Sequence, residues 1–474
     1  MYSLHKKITN LETFIFVIFI LIPLSVIFSR FLLNVIIIGF FLFLIFRSFK
    51  NKNWTFLYTE ITPYLFAFLF YLFFVSMMIH ELDMRSFLKL TWLFLIVFFL
   101  LGLASYVSVL KKNLIKILVL FFFSLTALII LDCIYQFFNP QFKDIFGYKS
   151  NIIREYSFLG RKFLFPIRLT GPMGDEQVVG FYLSTFGYLS IFFFKYLYKL
   201  SNKIYYLFIF INFSIIILSG ERSSVLIFII TFFTQEFLSK SPLKNKLSNI
   251  LILFSILLTI FYINPTTRER ANDLNIWLLK PSNQNNFYEN FLRTPWGGHY
   301  QISIELIKNN PYFGVGLRNF TKSCVEYEKN DSKLNLLRSM RAEYKIMQTD
   351  NSIAKEIIDV MRNKIIITEN EIFYAEKDSK CSTHPHNYII ELLVEIGFIG
   401  FLIFFSLLFK IYYIFFKKFR QNNFAIICIS LLTGFLFPLK PSGAIFSSWF
   451  GFIFWLQISF FLMIVNNKIN KKNN

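Results

Sequence analysis

The sequence predicts an all-α polytopic membrane protein of about 12 transmembrane helices, and three observations carry that prediction. Of its 474 residues 55% are hydrophobic and 66 are Phe. The apolar residues gather in runs near the twenty or so that a helix needs to cross the hydrocarbon core. The surplus of 49 Lys and Arg over 28 Asp and Glu falls in small clusters between those runs. A nucleic-acid-binding domain would concentrate its cations and interleave them with aromatics, so the pattern speaks for membrane topology.

Twelve apolar stretches stand out, at approximately 11–29, 31–46, 61–79, 88–109, 115–138, 178–194, 204–219, 223–238, 248–263, 388–409, 422–437 and 444–465. With the N-terminus in the cytoplasm, the inside segments carry Lys6 and Lys7; Arg47, Lys50 and Lys52; Lys111, Lys112 and Lys116; and Lys195, Lys199 and Lys203. They continue with Lys240, Lys244 and Lys246, then Lys410, Lys417, Lys418 and Arg420, and finally Lys468, Lys471 and Lys472. Short outside turns hold only Arg30, Arg85, Arg222 or Lys440. The alternation holds at every turn and sets the expected orientation, with both termini inside. The first run follows Lys6 and Lys7 without a small-residue cleavage site, so it is expected to be a retained span and not a signal peptide. The chain thus divides into 1–263, with nine spans and an outer loop at about 139–177; 264–387, one large outer loop; and 388–474, three spans and a tail.

The loop at 139–177 contains Arg154, Arg161, Lys162 and Arg168, then Gly171-Pro172-Met173-Gly174-Asp175-Glu176. In the larger loop, Ile302, Ile304, Leu306 and Ile307 are spaced for a short amphipathic helix over 300–308, ended by Asn310-Pro311 and a glycine turn through Gly314 and Gly316. Residues 329–380 are expected as surface helices with loops. Cys324 and Cys381 both lie in the large outer loop, 264–387, where an oxidising compartment permits a bridge; two free thiols are the alternative. Cys133 and Cys428 sit inside spans as small apolar side chains.

The segment Cys381-Ser382-Thr383-His384-Pro385-His386-Asn387 joins this loop to an apolar helix. Ser382 or Thr383 is a suitable N-cap and Pro385 suits a first turn. That places His386 within the first turn, where the helix dipole favours neutral imidazole. A neutral histidine at the membrane boundary is a candidate general base; the alternative is a cap residue with no chemical duty. Asn387, Glu391 and Glu395 follow at steps of four, and either glutamate is a candidate to orient His386. Gly397 and Gly400 lie on one helical face and suit close helix packing. His299, near Trp296 and Tyr300, is a second candidate or a loop histidine, and His384 reads as local structure.

Ser219-Gly220-Glu221-Arg222-Ser223-Ser224 is a tight outside turn in which Gly220 reverses the chain and Ser223 or Ser224 caps the next helix. Its guanidinium suits bidentate phosphate recognition, or else pairs with Glu221 or lipid headgroups. Arg154, Arg161, Arg168, Arg293 and Arg318 together favour an anionic ligand. No metal-ligand spacing, P-loop or dinucleotide fingerprint is present.

These residues resemble the O-antigen ligase and polymerase family of bacterial envelope glycosyltransferases. His386-Asn387, nine residues, then Gly397-Phe398-Ile399-Gly400 is similar to that family's His-Asn…Gly-x-x-Gly signature. Asn310-Pro311-Tyr312-Phe313-Gly314-Val315-Gly316 resembles its Asn-Pro-x-x-Gly-x-Gly turn, and Ser219-Gly220-Glu221-Arg222 its Ser-Gly-x-Arg turn. The resemblance implies a GT-C-like membrane fold, in the inner membrane, with a periplasmic active site. It implies an undecaprenyl-diphosphate-linked glycan donor and an acceptor sugar, on the lipid A core for a ligase or on a second lipid-linked chain for a polymerase. The reaction implied is inverting and needs no metal or cofactor. His386 would be the base, and Arg222 would hold the donor diphosphate. The family's second periplasmic arginine has no match in Arg293-Thr294-Pro295-Trp296-Gly297-Gly298-His299, leaving Arg293 or Arg318 as candidates. His299, Asn387 and Arg168 are further candidates for substrate binding. A transporter or flippase of lipid-linked glycans is the alternative of another class, and would show repeated halves or ionisable groups at the bilayer midplane.

Overall fold

The computed structural model describes residues 10–78, 84–142, 153–158, 161–166, 168–174, 178–270, 295–330, 381, 384–438, 444–447 and 449–470. The chain forms two compact units. One comprises 1–69, 91–274 and 404–474; the other comprises 70–90 and 275–403.

Helices dominate. They are α1 (Asn10–Phe28), α2 (Arg30–Asn51), α3 (Thr62–Met78), α4 (Met84–Tyr106) and α5 (Lys112–Phe138). Next come α6 (Val179–Tyr182) and α7 (Tyr188–Tyr198), joined through a π-helical turn at Leu183–Gly187, then α8 (Asn202–Leu218), α9 (Arg222–Leu238) and α10 (Leu243–Ile263). After them come α11 (Pro295–Asn309), α12 (Phe320–Asn330), α13 (Tyr388–Ile414), α14 (Asn423–Phe435) and α15 (Phe450–Asn470). Among the described residues the apolar stretches fall mainly on helical structure, the last helix starting at Phe450 and not at 444. Six described helices are long and apolar enough to cross a membrane: Asn10–Phe28, Arg30–Asn51, Ser86–Val109, Lys112–Phe138, Leu243–Ile263 and Tyr388–Phe419. Shorter apolar helices accompany them. Large side chains on these helices stay bare, as with Phe31 at 77% and Tyr262 at 80% exposed. Water would penalise that much apolar surface and lipid does not, so this is a helical membrane protein.

Local chemistry sets the helix ends. Ser29 caps α2 by accepting from Leu32 N–H at 3.1 Å, and Asn422 caps α14 by accepting from Phe424 and Ala425 N–H. Within the first unit the phenylalanines interlock, Phe181 stacking on Phe450 at 4.0 Å and Phe123 on Phe194 at 3.9 Å. Between lipid-solvated helices such packing substitutes for the hydrophobic drive. Gly434 lets α14 touch α9; a Cβ there would lie 2.3 Å from Thr231 Oγ1.

One element departs from the all-helical expectation. Within the loop at 139–177, β1 (Ile153–Phe158) pairs antiparallel with β2 (Arg161–Pro166), Tyr156 opposite Phe163. The Tyr156 hydroxyl donates to Glu269 Oε2 at 2.7 Å and anchors the hairpin. In the second unit α11 runs from Pro295, starting before the predicted 300–308. It packs with α12 and the first half of α13 around Ile302, Leu306, Val315, Phe320, Cys324 and Val394. Most of the segment 329–380 lies outside the described residues.

Candidate functional site

In the second unit the site is built on a broken helix. Gly397 interrupts α13 with φ 65° and ψ −176°, a conformation almost confined to glycine. The break takes the carbonyls of Val394 and Glu395, and the N–H groups of Phe398 and Ile399, out of the helical ladder. The turn after α11 pairs with all four. Val315 N–H donates to Val394 O at 2.7 Å and Gly316 N–H to Glu395 O at 3.0 Å. In return Pro311 O accepts from Phe398 N–H at 2.9 Å and Tyr312 O from Ile399 N–H at 3.2 Å. The Asn-Pro-x-x-Gly-x-Gly turn and the Gly-x-x-Gly segment are therefore two halves of one backbone joint. This corrects the expected role of Gly397, which serves a joint and not a helix face. Gly400 does serve packing, against Tyr71, whose hydroxyl donates to Ile396 O at 2.7 Å.

Glu395 locks the joint. Its buried carboxylate accepts from the Arg318 N–H at 2.9 Å, with the Arg318 and Lys89 charges close by. Arg318 itself takes a left-handed backbone, φ 64°, and Ser86 Oγ donates to Leu317 O at 3.0 Å. Glu395 thus positions the Arg318 loop, where the sequence makes it a candidate to orient His386. Lys89 and Ser86 escaped the sequence reading, although an ionisable residue inside an apolar run was a usable signal.

The start of α13 also differs from expectation. The helix begins at Tyr388. Asn387 is its cap, its Oδ1 accepting from Ile389 N–H at 3.0 Å and Ile390 N–H at 3.3 Å. His386 precedes the cap and does not lie in the first turn; its φ is +58°. Ser382 and Thr383 lie outside the described residues. With Oδ1 occupied, the Asn387 amide bonds to the Tyr300 hydroxyl, and burial raises the Tyr300 pKa. The Cys324–Cys381 bridge is formed, Cα atoms 5.6 Å apart. It ties α12 to the strand of chain five residues before His386.

Around His386 the structure gathers two further histidines. The His384 ring lies 4.2 Å away and the His299 ring 5.3 Å away, centroid to centroid. Burial, and secondarily the charge of His299, push the His386 pKa down to about 4. The imidazole is therefore neutral at ordinary pH, through desolvation more than through a helix dipole. Among the described residues no group of three His, Cys, Asp or Glu is arranged to hold a metal ion.

The first unit holds the arginine turn. Gly220, φ 71°, reverses the chain, and Glu221 occupies the N-cap of α9, so Arg222 is its first residue. Neither Ser223 nor Ser224 is the cap; Ser224 Oγ instead donates to Glu221 Oε2 at 2.8 Å. The same carboxylate caps α6, Oε1 accepting from Gly180 N–H at 2.7 Å and Oε2 from Phe181 N–H at 3.0 Å. Burial raises the Glu221 pKa to about 7 against these hydrogen bonds and the nearby Arg168 charge. Burial likewise lowers the Arg168 pKa, with Glu221 opposing. The Arg222 guanidinium donates to the Arg270 carbonyl. Gln136, unremarked in the sequence, holds the buried loop that follows Arg168. Its Oε1 accepts from Thr170 N–H at 2.9 Å and Gly171 N–H at 3.3 Å. Arg293 and the side chains of Arg154 and Arg161 lie outside the described residues.

Of the candidate residues, the structure brings together His299, His386 and Asn387, and joins Cys324 to Cys381. It sets Arg168 beside Glu221, next in sequence to Arg222. No protein-family model matches the chain, and no curated protein matches it.

Proposed function

We propose that the chain is a glycosyltransferase of the O-antigen ligase and polymerase type, acting on the periplasmic face of the bacterial inner membrane. Its helices make twelve spans in a GT-C-like arrangement, with both termini cytoplasmic. The donor is an undecaprenyl-diphosphate-linked glycan and the acceptor a sugar hydroxyl, on the lipid A core in the preferred reading. His386 takes the hydroxyl proton as the oxygen attacks the anomeric carbon from the face opposite the diphosphate. Arg222 binds the diphosphate and stabilises the charge it gains on leaving. The step inverts the anomeric centre.

One observation carries this reading. Two motifs far apart in sequence, Asn310–Gly316 and Gly397–Gly400, dock through their backbones and fix the helix whose cap stands next to a neutral, half-buried His386. A helix needing only a start would not require a second motif to hold it. Deletion of the gene, followed by gel analysis of surface glycan, tests the proposal. Loss of every long chain from the lipid core supports a ligase, and a core bearing a single repeat supports a polymerase instead. Unchanged lipopolysaccharide counts against both and redirects attention to another envelope glycan or to transport.

A further inference from the structure

A histidine that only ended a helix would have no need of His386's company. Two consecutive residues of α11 address the two residues just before α13: His299 faces His386, and Tyr300 bonds to Asn387. The His299 backbone is part of α11, its carbonyl accepting from Ser303 Oγ at 2.6 Å. The two imidazole neighbours of His386 differ in kind. At 4.2 Å and 49° the His384 ring is too near for an end-on N–H···N bond and makes ring-to-ring contact. At 5.3 Å and 32° the His299 and His386 rings are spaced about as two imidazoles joined end to end would be. Among the described residues, the titratable groups set against His386 are these two imidazoles, with the Tyr300 phenol behind Asn387.

This placement answers a problem that the proposed transfer reaction creates. A base that removes a hydroxyl proton becomes an imidazolium, and burial disfavours that charge. We propose that His299 is the proton outlet of His386, the second half of a two-imidazole relay. The acceptor O–H bond breaks and its proton goes to one nitrogen of His386. The new C–O bond forms as the anomeric C–O bond to the diphosphate breaks, its electron pair leaving with the diphosphate. His386 then passes the proton on its other nitrogen to His299, which is half-buried and releases it to water. His386 is left as the neutral tautomer. The balance needs no oxidant, metal or co-reactant.

The relay rests on the proposed function, and its test separates the two. In cells, His299→Gln keeps a polar side chain of similar reach but cannot take up a proton, and is expected to lower glycan assembly about a hundredfold at unchanged protein level. His299→Ala, with imidazole added to the medium, is expected to recover a large part of that loss. Unimpaired assembly in His299→Gln, or loss that imidazole does not relieve, overturns the relay. Normal assembly in His386→Ala overturns the base itself, and with it the function. A second readout needs no substrate: diethylpyrocarbonate labelling of His386 in the purified full-length protein in micelles, followed against pH. His299→Gln is expected to move the His386 titration upward, because the neighbouring charge is gone. An unmoved titration shows that the two rings are not coupled and counts against the relay.

Discussion

Gly314 and Gly397 meet backbone against backbone. A Cβ on Gly314 would lie 2.6 Å from Gly397 N, and a Cβ on Gly397 would lie 2.5 Å from Gly314 N and 2.3 Å from Tyr312 O. Both also have positive φ, so each position excludes a side chain twice, by conformation and by contact. Gly397→Ala and Gly314→Ala are expected to cost about 1–3 kcal/mol each from backbone strain alone, and to break the joint that fixes His386. Gly39→Ala is the control: it is helical with nothing within 4 Å of the added methyl, and is expected to leave stability level or slightly raised. Thermal unfolding of the three variants in one detergent checks the contrast.

The Cys324–Cys381 bridge spans 57 residues of sequence. A loop of that length gives about 4 kcal/mol on the chain-entropy estimate. Cys381→Ser, Cys324→Ser and the double variant are expected to lose the same stability, since each removes one and the same bond. Alkylation and mass spectrometry before and after reduction verify the pairing. Because Cys381 stands five residues before His386, glycan assembly is expected to fall along with stability in all three.

The depressed pKa of His386 has a defined pH signature. Its folded value of about 4 lies below the 6.5 of a free imidazole. Between those values the unfolded chain takes up a proton that the folded one refuses. Stability is therefore expected to be full above about pH 6.5, to fall as pH drops toward 4, and to level off below. The shift corresponds to roughly 3 kcal/mol. Glu221 has the opposite slope: its pKa is raised from 4.5 to about 7, so its contribution is present at low pH and lost as pH rises through 7. Comparing the parent with His386→Gln by unfolding at pH 4.5 and pH 7 isolates the histidine. The variant is expected to lose less stability on acidification than the parent.

The helices were legible because runs of apolar residues near bilayer length admit few other structures. Pro311 and Gly314 likewise announced a turn. What the one-dimensional pattern concealed was the joint: Gly397 sits inside a periodic apolar run, where a glycine reads as close packing, and only a partner eighty residues upstream turns it into a break. The helix start slipped because Ser382, Thr383 and Pro385 are generic start signals, whereas Asn387 wins by also bonding to Tyr300. The hairpin at Ile153–Pro166 was missed because its alternation is short and crowded with charge. His299 and His386 were both visible as candidates, but their adjacency is tertiary and had no signal in spacing.

Arg222 and Glu221 are neighbours in sequence with separate duties, and that separation makes the arginine testable. Glu221 holds α6 and Ser224 through its carboxylate, so the turn does not depend on the guanidinium for its cap. Arg222→Lys keeps one positive charge and one donor for the Arg270 carbonyl but loses the planar fork. Folding is expected to stay intact while glycan assembly falls about a hundredfold, the scale for a donor that stabilises charge developed in the transition state. Glu221→Ala is expected to do the reverse first: it uncovers the Gly180 and Phe181 N–H groups and lowers stability by about 0.5–2 kcal/mol. Full activity in Arg222→Lys, with unchanged unfolding, would assign the side chain to the lipid headgroups instead of to a diphosphate.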